Sequence, residues 1–367
     1  MNRIILIGNG FDLAHGLKTS YKDFIDDFWE RKKQKILSSI GKSDANYRFI
    51  YEDEYIDLKT NYEISDLFKT SQSNNSVGYQ WYENLSTSYI RGFFHGPNID
   101  AEIFCKNNFL ERISKKNSLQ DWVDIEEEYY SALVECQKTN GDIKKLNDDF
   151  QCIQDALQTY LLEQNAINIT IKDLFRGCFY SDFLKDDFIQ FPSIDKIEKV
   201  DKVLFLNFNY TSIIARHTYA NYNTKLINIH GELKNNKNPI IFGYGDEIDD
   251  NFKFIENMKI NEYLKYFKSF HYSRNNNYRD MLTFINADEY QIYIMGLSCG
   301  TSDRTLLHTL FEHKHCKSIK IFYHKENEEV DNYLDIYMNM SRNFTNKEKM
   351  RGLIVSKENS LPMPQGI

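Results

Sequence analysis

The 367-residue sequence has little proline, no closely paired cysteines and no long apolar run. Only five prolines occur beside 25 tyrosines and 26 phenylalanines, a composition that argues against long disordered tracts. No stretch approaches the ~18 consecutive apolar residues of a membrane span. An excess of basic residues is also missing, because the net charge is −8. Duplex nucleic acid and anionic membranes, which require a basic surface, are therefore not expected as partners.

The cysteines exclude two further classes of protein. They are Cys105, Cys136, Cys152, Cys178, Cys299 and Cys316. No two of them have the Cys-x-x-Cys spacing of a zinc knuckle, and a chain of this length does not depend on a disulfide framework. Reduced, buried thiols are expected instead. The apolar run near the N-terminus is too short for the core of a signal peptide, so a cytoplasmic protein without a metal site is predicted.

The most informative segment lies at the N-terminus. The apolar run of residues 3–7 ends at Gly8, Asn9, Gly10, Phe11 and Asp12. An apolar run that stops at a Gly-x-Gly turn predicts a buried parallel strand, a tight loop and then a helix. Such a loop lets the backbone approach a phosphate, and the helix start offers unpaired N–H groups and a positive dipole end. We therefore expect these five residues to bind a cofactor; a structural turn without a ligand is the alternative. Leu13 stands where the hydride-transfer fingerprint has its third glycine, so that motif is not matched.

Short apolar runs predict the strands of one parallel sheet. They cover residues 4–7, 203–207, 225–229, 240–243, 291–295 and 319–323. The long stretch between the first two runs has mostly helical patterns, which begin with the helix-start spacing of Ser20 and Asp23. We predict an α/β fold, a Rossmann-like parallel sheet with a large helical insertion after the first strand–helix unit. The predicted domains are a nucleotide-binding domain of residues 1–20 and 200–330, a mainly helical module of residues 21–199, and a polar C-terminal segment of residues 331–367.

Two polar motifs follow predicted strands at the end where parallel sheets hold ligands. The first includes Asn209, whose amide offers a donor and an acceptor for a ribose hydroxyl or a water. The second is His230 with Gly231, where the imidazole can act as a base near neutral pH and the glycine leaves room for substrate. A capping turn at Asn209 and a structural histidine bonded to backbone are the alternatives.

Two further loops follow predicted strands and contain small or hydroxyl residues. The first loop, residues 243–247, contains Tyr244. The second, residues 296–303, contains Gly296, Ser298 and Asp303. These residues could line a nucleotide site. The alternative is a pair of plain strand–helix loops in which Asp303 caps the next helix.

The order of these motifs is similar to that of a known family. Along the chain they read GNGFDLAHGL, WVDIEEEYY, NFNYT, IHG, FGYGDE and GLSCGTSD. This order resembles the AbiH family of bacterial phage abortive-infection proteins, over most of the chain from Met1 to about Lys325.

More distantly, the same landmarks are similar to the sirtuin-like nucleotide-binding fold. The glycine loop of sirtuins falls in register with Gly8, Asn9, Gly10, Asp12 and Gly16. Their Asn-Ile-Asp motif corresponds to residues 209–211, their His-Gly pair to residues 230–231, and their late Gly-Thr-Ser loop to residues 296–298. Thr211 replaces the motif's aspartate and the zinc-ribbon cysteines are absent, so removal of acyl groups from lysine is not implied.

The resemblance implies an anti-phage effector that binds NAD as a substrate and cleaves its glycosidic bond, releasing nicotinamide. Asn209 would then position a water at the ribose carbon, and His230 would bind or deprotonate a ribose hydroxyl or that water. The first glycine loop would hold the pyrophosphate. The implied partners are NAD or a related nucleotide and a phage-derived trigger or partner defence protein, and a homo-oligomer is compatible with this reading.

Two other functions stay open. One is a non-catalytic module that senses a nucleotide signal. The other is a metal-dependent nuclease in which Asp124, Glu126 or Asp246 holds Mg²⁺. The acidic net charge and the lack of a tight carboxylate cluster in the sequence rank the nuclease last.

Overall fold

A computed structural model describes residues 1–61, 90–93, 100–120, 124–167, 169, 173–189, 199–217 and 223–365. The chain divides into two compact units. The sheet unit consists of Met1–Thr19 and Gln158–Ile367, and the second unit is Ser20–Leu157. Within the described residues, no helix combines the length and the apolar character that a membrane crossing requires.

Ten strands are found in the described residues. In chain order they are β1 (Asn2–Ile7), β2 (Phe49–Glu52), β3 (Ile56–Thr60), β4 (Ile90–Phe93), β5 (Asp100–Cys105), β6 (Val203–Asn207), β7 (Thr224–Asn228), β8 (Tyr290–Met295), β9 (Cys316–Tyr323) and β10 (Leu361–Pro362). The sheet unit contains one six-stranded sheet in the order β10-β9-β8-β1-β6-β7. All of its strand pairs are parallel. The prediction of an α/β fold built on a parallel sheet is therefore confirmed.

The central strands are apolar throughout because both faces of the sheet are covered. Every residue of β1, β6 and β8 is buried. Successive side chains point to opposite faces, so each strand feeds two cores. One core contains Ile4, Leu6, Leu204, Leu206, Ile292 and Ile294. The other contains Ile5, Ile7, Val203, Phe205, Tyr293 and Met295.

One predicted strand, residues 240–243, is not a strand. These residues form a loop whose apolar side chains are buried. Ile241 N donates to His230 O at 2.7 Å, which ties this loop to the segment after β7. The sheet ends at β7, so this loop adds no further strand to it. Tyr244, just beyond residues 240–243, forms an isolated bridge to Phe267.

Helices accompany the strands of the sheet unit. Their bounds are Asn9–Ala14, Asp173–Phe179, Asp250–Asn257, Lys268–His271, Asn277–Ala287, Arg304–Phe311, Tyr333–Asn343 and Lys347–Leu353. The C-terminal residues contribute to this unit rather than forming a separate polar segment. Ile336 and Met340 are buried in its core, and β10 pairs with β9. The helix Ile143–Ala166 contains the boundary between the two units.

The second unit is not purely helical. It contains the helices Tyr21–Ser38, Asn108–Gln120 and Ile125–Thr139 and a four-stranded antiparallel sheet in the order β2-β3-β5-β4. The helix start predicted at Ser20 is confirmed, because Ser20 and Asp23 form a reciprocal capping box. The sheet was not predicted, since its strands are short and lack the continuous apolar runs of the six-stranded sheet.

Candidate functional site

The predicted site residues follow the carboxyl ends of four parallel strands. Residues 8–12 follow β1, Asn209 follows β6, His230 follows β7, and residues 296–303 follow β8. Because parallel strands end at one edge, these segments lie along the same edge of the sheet. From β1 the chain places β6 and β7 on one side and β8, β9 and β10 on the other. A reversal of strand order of this kind opens a crevice at the carboxyl ends, where α/β sheets bind ligands.

The glycines of the first loop allow two loops to pack backbone against backbone. Gly8 N donates to Met295 O at 3.0 Å, and Gly10 N donates to Gly296 O at 2.8 Å. A Cβ on Gly8 would lie 2.5 Å from Leu297 Cα. Gly296 itself has φ +72, and a Cβ there would lie 2.1 Å from Phe11 N. Glycine is therefore required at this contact for close approach.

The structure corrects the picture of an open phosphate cradle at this loop. The N–H groups of Gly8 and Gly10 are used by the β8 end, and Phe11 N donates to Gly8 O at 2.9 Å. The Phe11 side chain is fully buried, with its ring centroid 4.8 Å from that of Phe175, so it offers no surface to a cofactor. The Asn9 side chain accepts a hydrogen bond from the Thr19 hydroxyl at 2.6 Å. Binding of pyrophosphate at this loop stays a prediction, and the N–H groups of Gly8, Gly10 and Phe11 are not available for it.

Asn209 is held against the first loop by its side-chain amide. Its Nδ2 donates to Gly8 O at 3.0 Å and to Asp12 Oδ1 at 2.9 Å. Thr211 Oγ1 donates to Asp12 Oδ2 at 2.6 Å. The backbone of Asn209 is fixed by Asn207, whose side chain accepts from its N–H and donates to its carbonyl oxygen. The β1 and β6 ends are thus joined by one polar cluster, which we call the Asp12 cluster: Asp12, Asn209 and Thr211.

Asp12 is an almost fully buried carboxyl with no cation beside it in this cluster. Burial raises its pKa to about 7, although the hydrogen bonds from Thr211 and Asn209 act in the opposite direction. Burial favours the neutral form of a carboxyl because the charged form loses its hydration. Asp12 can therefore exchange a proton near neutral pH, next to the amide of Asn209.

His230 lies in a second buried polar cluster, which we call the Asp303 cluster: His230, Asp303 and Lys268. His230 Nε2 lies 3.0 Å from Asp303 Oδ1, and Lys268 Nζ donates to the same oxygen at 2.8 Å. Burial lowers the pKa of His230 despite the attraction of Asp303, so the imidazole is neutral at pH 7 and donates its Nε2–H. Burial alone would raise the pKa of Asp303, but the Lys268 ammonium and His230 hold it well below its usual range.

The two clusters are connected through Phe208. Phe208, which precedes Asn209, packs its ring against His230 with centroids 5.1 Å apart. Gly231 serves the turn after His230 by donating its N–H to Asn228 O at 3.1 Å. The predicted residues Asn209 and Asp12 therefore meet, and His230 and Asp303 meet, as two groups linked through Phe208.

The remaining predicted residues have structural contacts. Tyr244 is buried and donates its N–H to Tyr266 O at 3.0 Å. Ser298 is exposed, and its carbonyl oxygen accepts from Asn339 Nδ2 at 2.9 Å.

A groove of about 850 Å³ opens beside the Asp303 cluster. It is lined by Glu247, Ser269, Tyr272, Ser273, Arg274, Asn275, Asn276, Tyr278, Arg279 and Thr305. The Tyr272 hydroxyl lies 3.5 Å from His230 Nε2, which connects the groove wall to the cluster. Sequence reasoning did not find Lys268, Tyr272 or the groove arginines, because they lie in a stretch without a motif or a regular apolar pattern.

The carboxylates proposed for a metal already have protein partners. Asp124 caps its helix by accepting from the N–H groups of Glu126 and Glu127. Asp246 Oδ2 accepts from Arg304 at 2.9 Å, and its Oδ1 accepts from two backbone N–H groups. Among the described residues there is no group of three or more histidine, cysteine or carboxylate side chains arranged to hold a metal ion.

Comparison with known proteins gives one match. The family model described as bacteriophage abortive infection AbiH matches residues 4–325. Comparisons with curated proteins and with solved structures find no match.

Proposed function

This chain belongs to the AbiH family of bacteriophage abortive infection proteins, and we propose that it acts in that defence by hydrolysing the glycosidic bond of NAD or a related nucleotide. The observation that carries this proposal is the convergence of Asn209 and Asp12, which lie far apart along the chain, beside the His230–Asp303 pair. A buried amide, a carboxyl that titrates near neutrality and a neutral imidazole are groups that can bind and activate water.

The strand order supports a nucleotide as the ligand. If the strands of the six-stranded sheet are renumbered by their order in the chain, the sheet reads 3-2-1-4-5-6. This is the order of doubly wound dinucleotide-binding sheets, which bind their ligand where the order reverses. This order, together with the positions of Asn209 and His230 after β6 and β7, supports the proposal of a Rossmann-like, sirtuin-like core.

In the proposed reaction, water attacks the ribose carbon that carries nicotinamide. The carbon–nitrogen bond breaks, nicotinamide leaves with the bonding electrons, and the proton of the attacking water passes to a base. The transition state carries positive charge on the sugar, which nearby carboxylates stabilise. Asn209 uses both N–H bonds of its Nδ2 within the protein, which leaves its Oδ1 as the acceptor for a ribose hydroxyl or the water. Asp12, whose pKa is about 7, is the base next to Asn209. His230, which is neutral at pH 7 and donates its Nε2–H to Asp303, helps to hold the ribose, and Asp303 orients it.

The test follows nicotinamide release from NAD by the purified protein. Asn209→Ala and His230→Ala should each reduce release at least ~100-fold, the lower end of what a positioned acid–base group contributes. Asn286→Ala and His324→Ala, which alter an exposed asparagine and an exposed histidine, are the matched controls and should release nicotinamide like the wild type. Equal release by the wild type and both site variants would contradict the proposal.

A second candidate is a nucleotide-sensing module without turnover. It is favoured by the burial of His230, whose side chain is only 5% exposed and whose Nε2 is occupied by Asp303. In that case NAD would raise the melting temperature of the protein without any release of nicotinamide.

A further inference from the structure

Three N–H groups of the first glycine loop are already used within the protein and are not available to the phosphates of a nucleotide. Its N–H groups at Gly8, Gly10 and Phe11 all donate to backbone carbonyls. A diphosphate carries negative charge that must be matched by cations or by free donors. Groups of this kind lie close to His230.

The groove beside the Asp303 cluster contains two cations that are free to bind an anion. Arg274 and Arg279 both line it, and both are exposed. Neither guanidinium forms an ion pair with a carboxylate in the part of the chain that the structure describes. The other charged residue in the lining is Glu247, so the groove is positive overall. The planar fork of arginine suits phosphate oxygens, which it can bind through two parallel hydrogen bonds.

An aromatic stack leads from this groove to His230. The rings of Tyr272 and Tyr278 are nearly parallel, 5° apart in orientation, with centroids 5.4 Å apart. Tyr272 is in turn parallel to His230 within 7°, at 6.5 Å between centroids. Because Tyr278 lines the groove and is only partly buried, it can stack on a planar heterocycle.

A hydroxyl in the groove wall has no hydrogen-bond partner among the residues that the structure describes. Ser269 Oγ is buried and makes no hydrogen bond. A buried hydroxyl without a partner costs free energy, so it marks a position where a ligand or a water completes the contacts. Ser269 directly follows Lys268, which places this hydroxyl next to the Asp303 cluster.

We propose that this groove binds the substrate nucleotide, with Arg274 and Arg279 holding its phosphates and Tyr278 stacking on a base. The groove volume of about 850 Å³ lies within the ~300–1,000 Å³ of small-molecule sites. The inference rests on the proposed function in one respect, that the ligand is a nucleotide. It differs from the sequence prediction in assigning the phosphates to the groove arginines rather than to the glycine loop.

The test measures binding of ADP-ribose by calorimetry, since this probe has the diphosphate but no nicotinamide bond to cleave. Arg274→Ala and Arg279→Ala should each weaken binding about tenfold, and the double variant about 100-fold. Adenosine, which lacks phosphates, should bind weakly and equally to the wild type and these variants. Tyr278→Ala should weaken binding of both probes, and Tyr278→Phe should restore it.

Arg351→Ala is the matched control, because it removes one exposed arginine outside the groove and should bind ADP-ribose like the wild type. Wild-type affinity in the double arginine variant, or no binding by the wild type, would overturn the groove assignment. The experiments can reject either proposal independently of the other. Nicotinamide release with an unchanged KM in the double variant rejects the groove and retains the hydrolysis, whereas arginine-dependent binding without any release rejects the hydrolysis and retains the groove.

Discussion

Asp12 and Asp303 are both buried at the carboxyl edge of one sheet, yet their surroundings shift their pKa values in opposite directions. Asp12 is 1% exposed, and its carboxyl accepts hydrogen bonds from the neutral groups of Asn209 and Thr211. Asp303 is 9% exposed and accepts from the Lys268 ammonium. The same residue type thus becomes a proton carrier near neutrality in the Asp12 cluster and a fixed negative charge in the Asp303 cluster.

The comparison shows which interaction decides the charge of a buried carboxyl. Two neutral hydrogen bonds do not offset the desolvation of Asp12, and its pKa rises to about 7. One ammonium group, together with His230, more than offsets the desolvation of Asp303. Chemistry that needs a movable proton is therefore expected at Asp12, and chemistry that needs a constant field is expected at Asp303.

Removal of Lys268 should have the largest effect. Lys268→Met leaves the Asp303 carboxylate buried without its cation, which should lower the free energy of unfolding by about 3–5 kcal/mol. Urea denaturation at pH 7 measures this loss. Addition of Asp303→Asn to the same protein should recover a large part of it, because no unpaired charge remains. An equal loss in the single and double variants would show that Lys268 acts through packing and not through Asp303.

The wild type should lose stability as pH rises toward neutrality because of Asp12, and Asp12→Asn should remove this loss. The pKa of Asp12 rises on folding from its ordinary 3.8 to about 7, so the folded state binds the extra proton between these values. The stabilisation is complete below about pH 4 and is lost as pH rises through 7. Relative to wild type, Asp12→Asn should therefore gain stability from pH 4 to pH 8, by about 4 kcal/mol. Denaturation curves across this range measure the gain, and Asp250→Asn at an exposed position should show none.

His217 should produce the opposite pH dependence in the core of the same unit. Its Nε2 lies 3.0 Å from His15 Nε2, and His15 Nδ1 donates to Phe11 O at 2.8 Å. Burial, with smaller contributions from His15 and Arg176, lowers the pKa of His217 from 6.5 to about 3. The unfolded chain then binds the extra proton, so stability is present above pH 6.5 and is lost as pH falls toward 3.

His217→Gln should remove this acid loss, which we expect to be about 1 kcal/mol between pH 6.5 and pH 5. Thermal melts at the two pH values compare the variant with wild type and with His324→Gln, an exposed control. An acid loss of the same size in His217→Gln and wild type would assign it to other groups.

Thr211→Val should have the smallest effect on stability. It tests how much one neutral hydrogen bond contributes to the pKa of Asp12. The hydroxyl of Thr211 donates to Asp12 and lowers its pKa, so its removal should move the titration of Asp12 further above pH 7. The loss of one hydrogen bond should also cost about 1 kcal/mol of stability. NMR titration of a selectively labelled aspartate measures the shift, and a movement to lower pH would contradict the role given to this hydroxyl.

The sequence was sufficient for the parallel sheet because its central strands are buried on both faces. Such strands are continuous apolar runs, and β1, β6 and β8 were found from this feature. The same criterion failed at residues 240–243, where the apolar side chains are buried in a loop. It also failed for the antiparallel sheet of the second unit, whose strands are short and lack continuous apolar runs.

The site was predictable only in part, for a related physical reason. Motifs after parallel strands lie along one edge, so the neighbouring positions of Asn209 and Asp12 follow from topology. Hydrogen-bond partners do not follow from it. Neither the use of the Gly8 and Gly10 amides by the β8 end nor the position of Lys268 beside Asp303 leaves a trace in the local sequence. Buried partners of this kind come from distant segments and depend on the complete fold.

A crystal structure of the protein with ADP-ribose bound tests the account most directly. We predict that the diphosphate lies between Arg274 and Arg279, with one heterocycle stacked on Tyr278 and the ribose directed toward His230. A diphosphate bound at the glycine loop of residues 8–10, or ADP-ribose away from the carboxyl edge of the sheet, would contradict it.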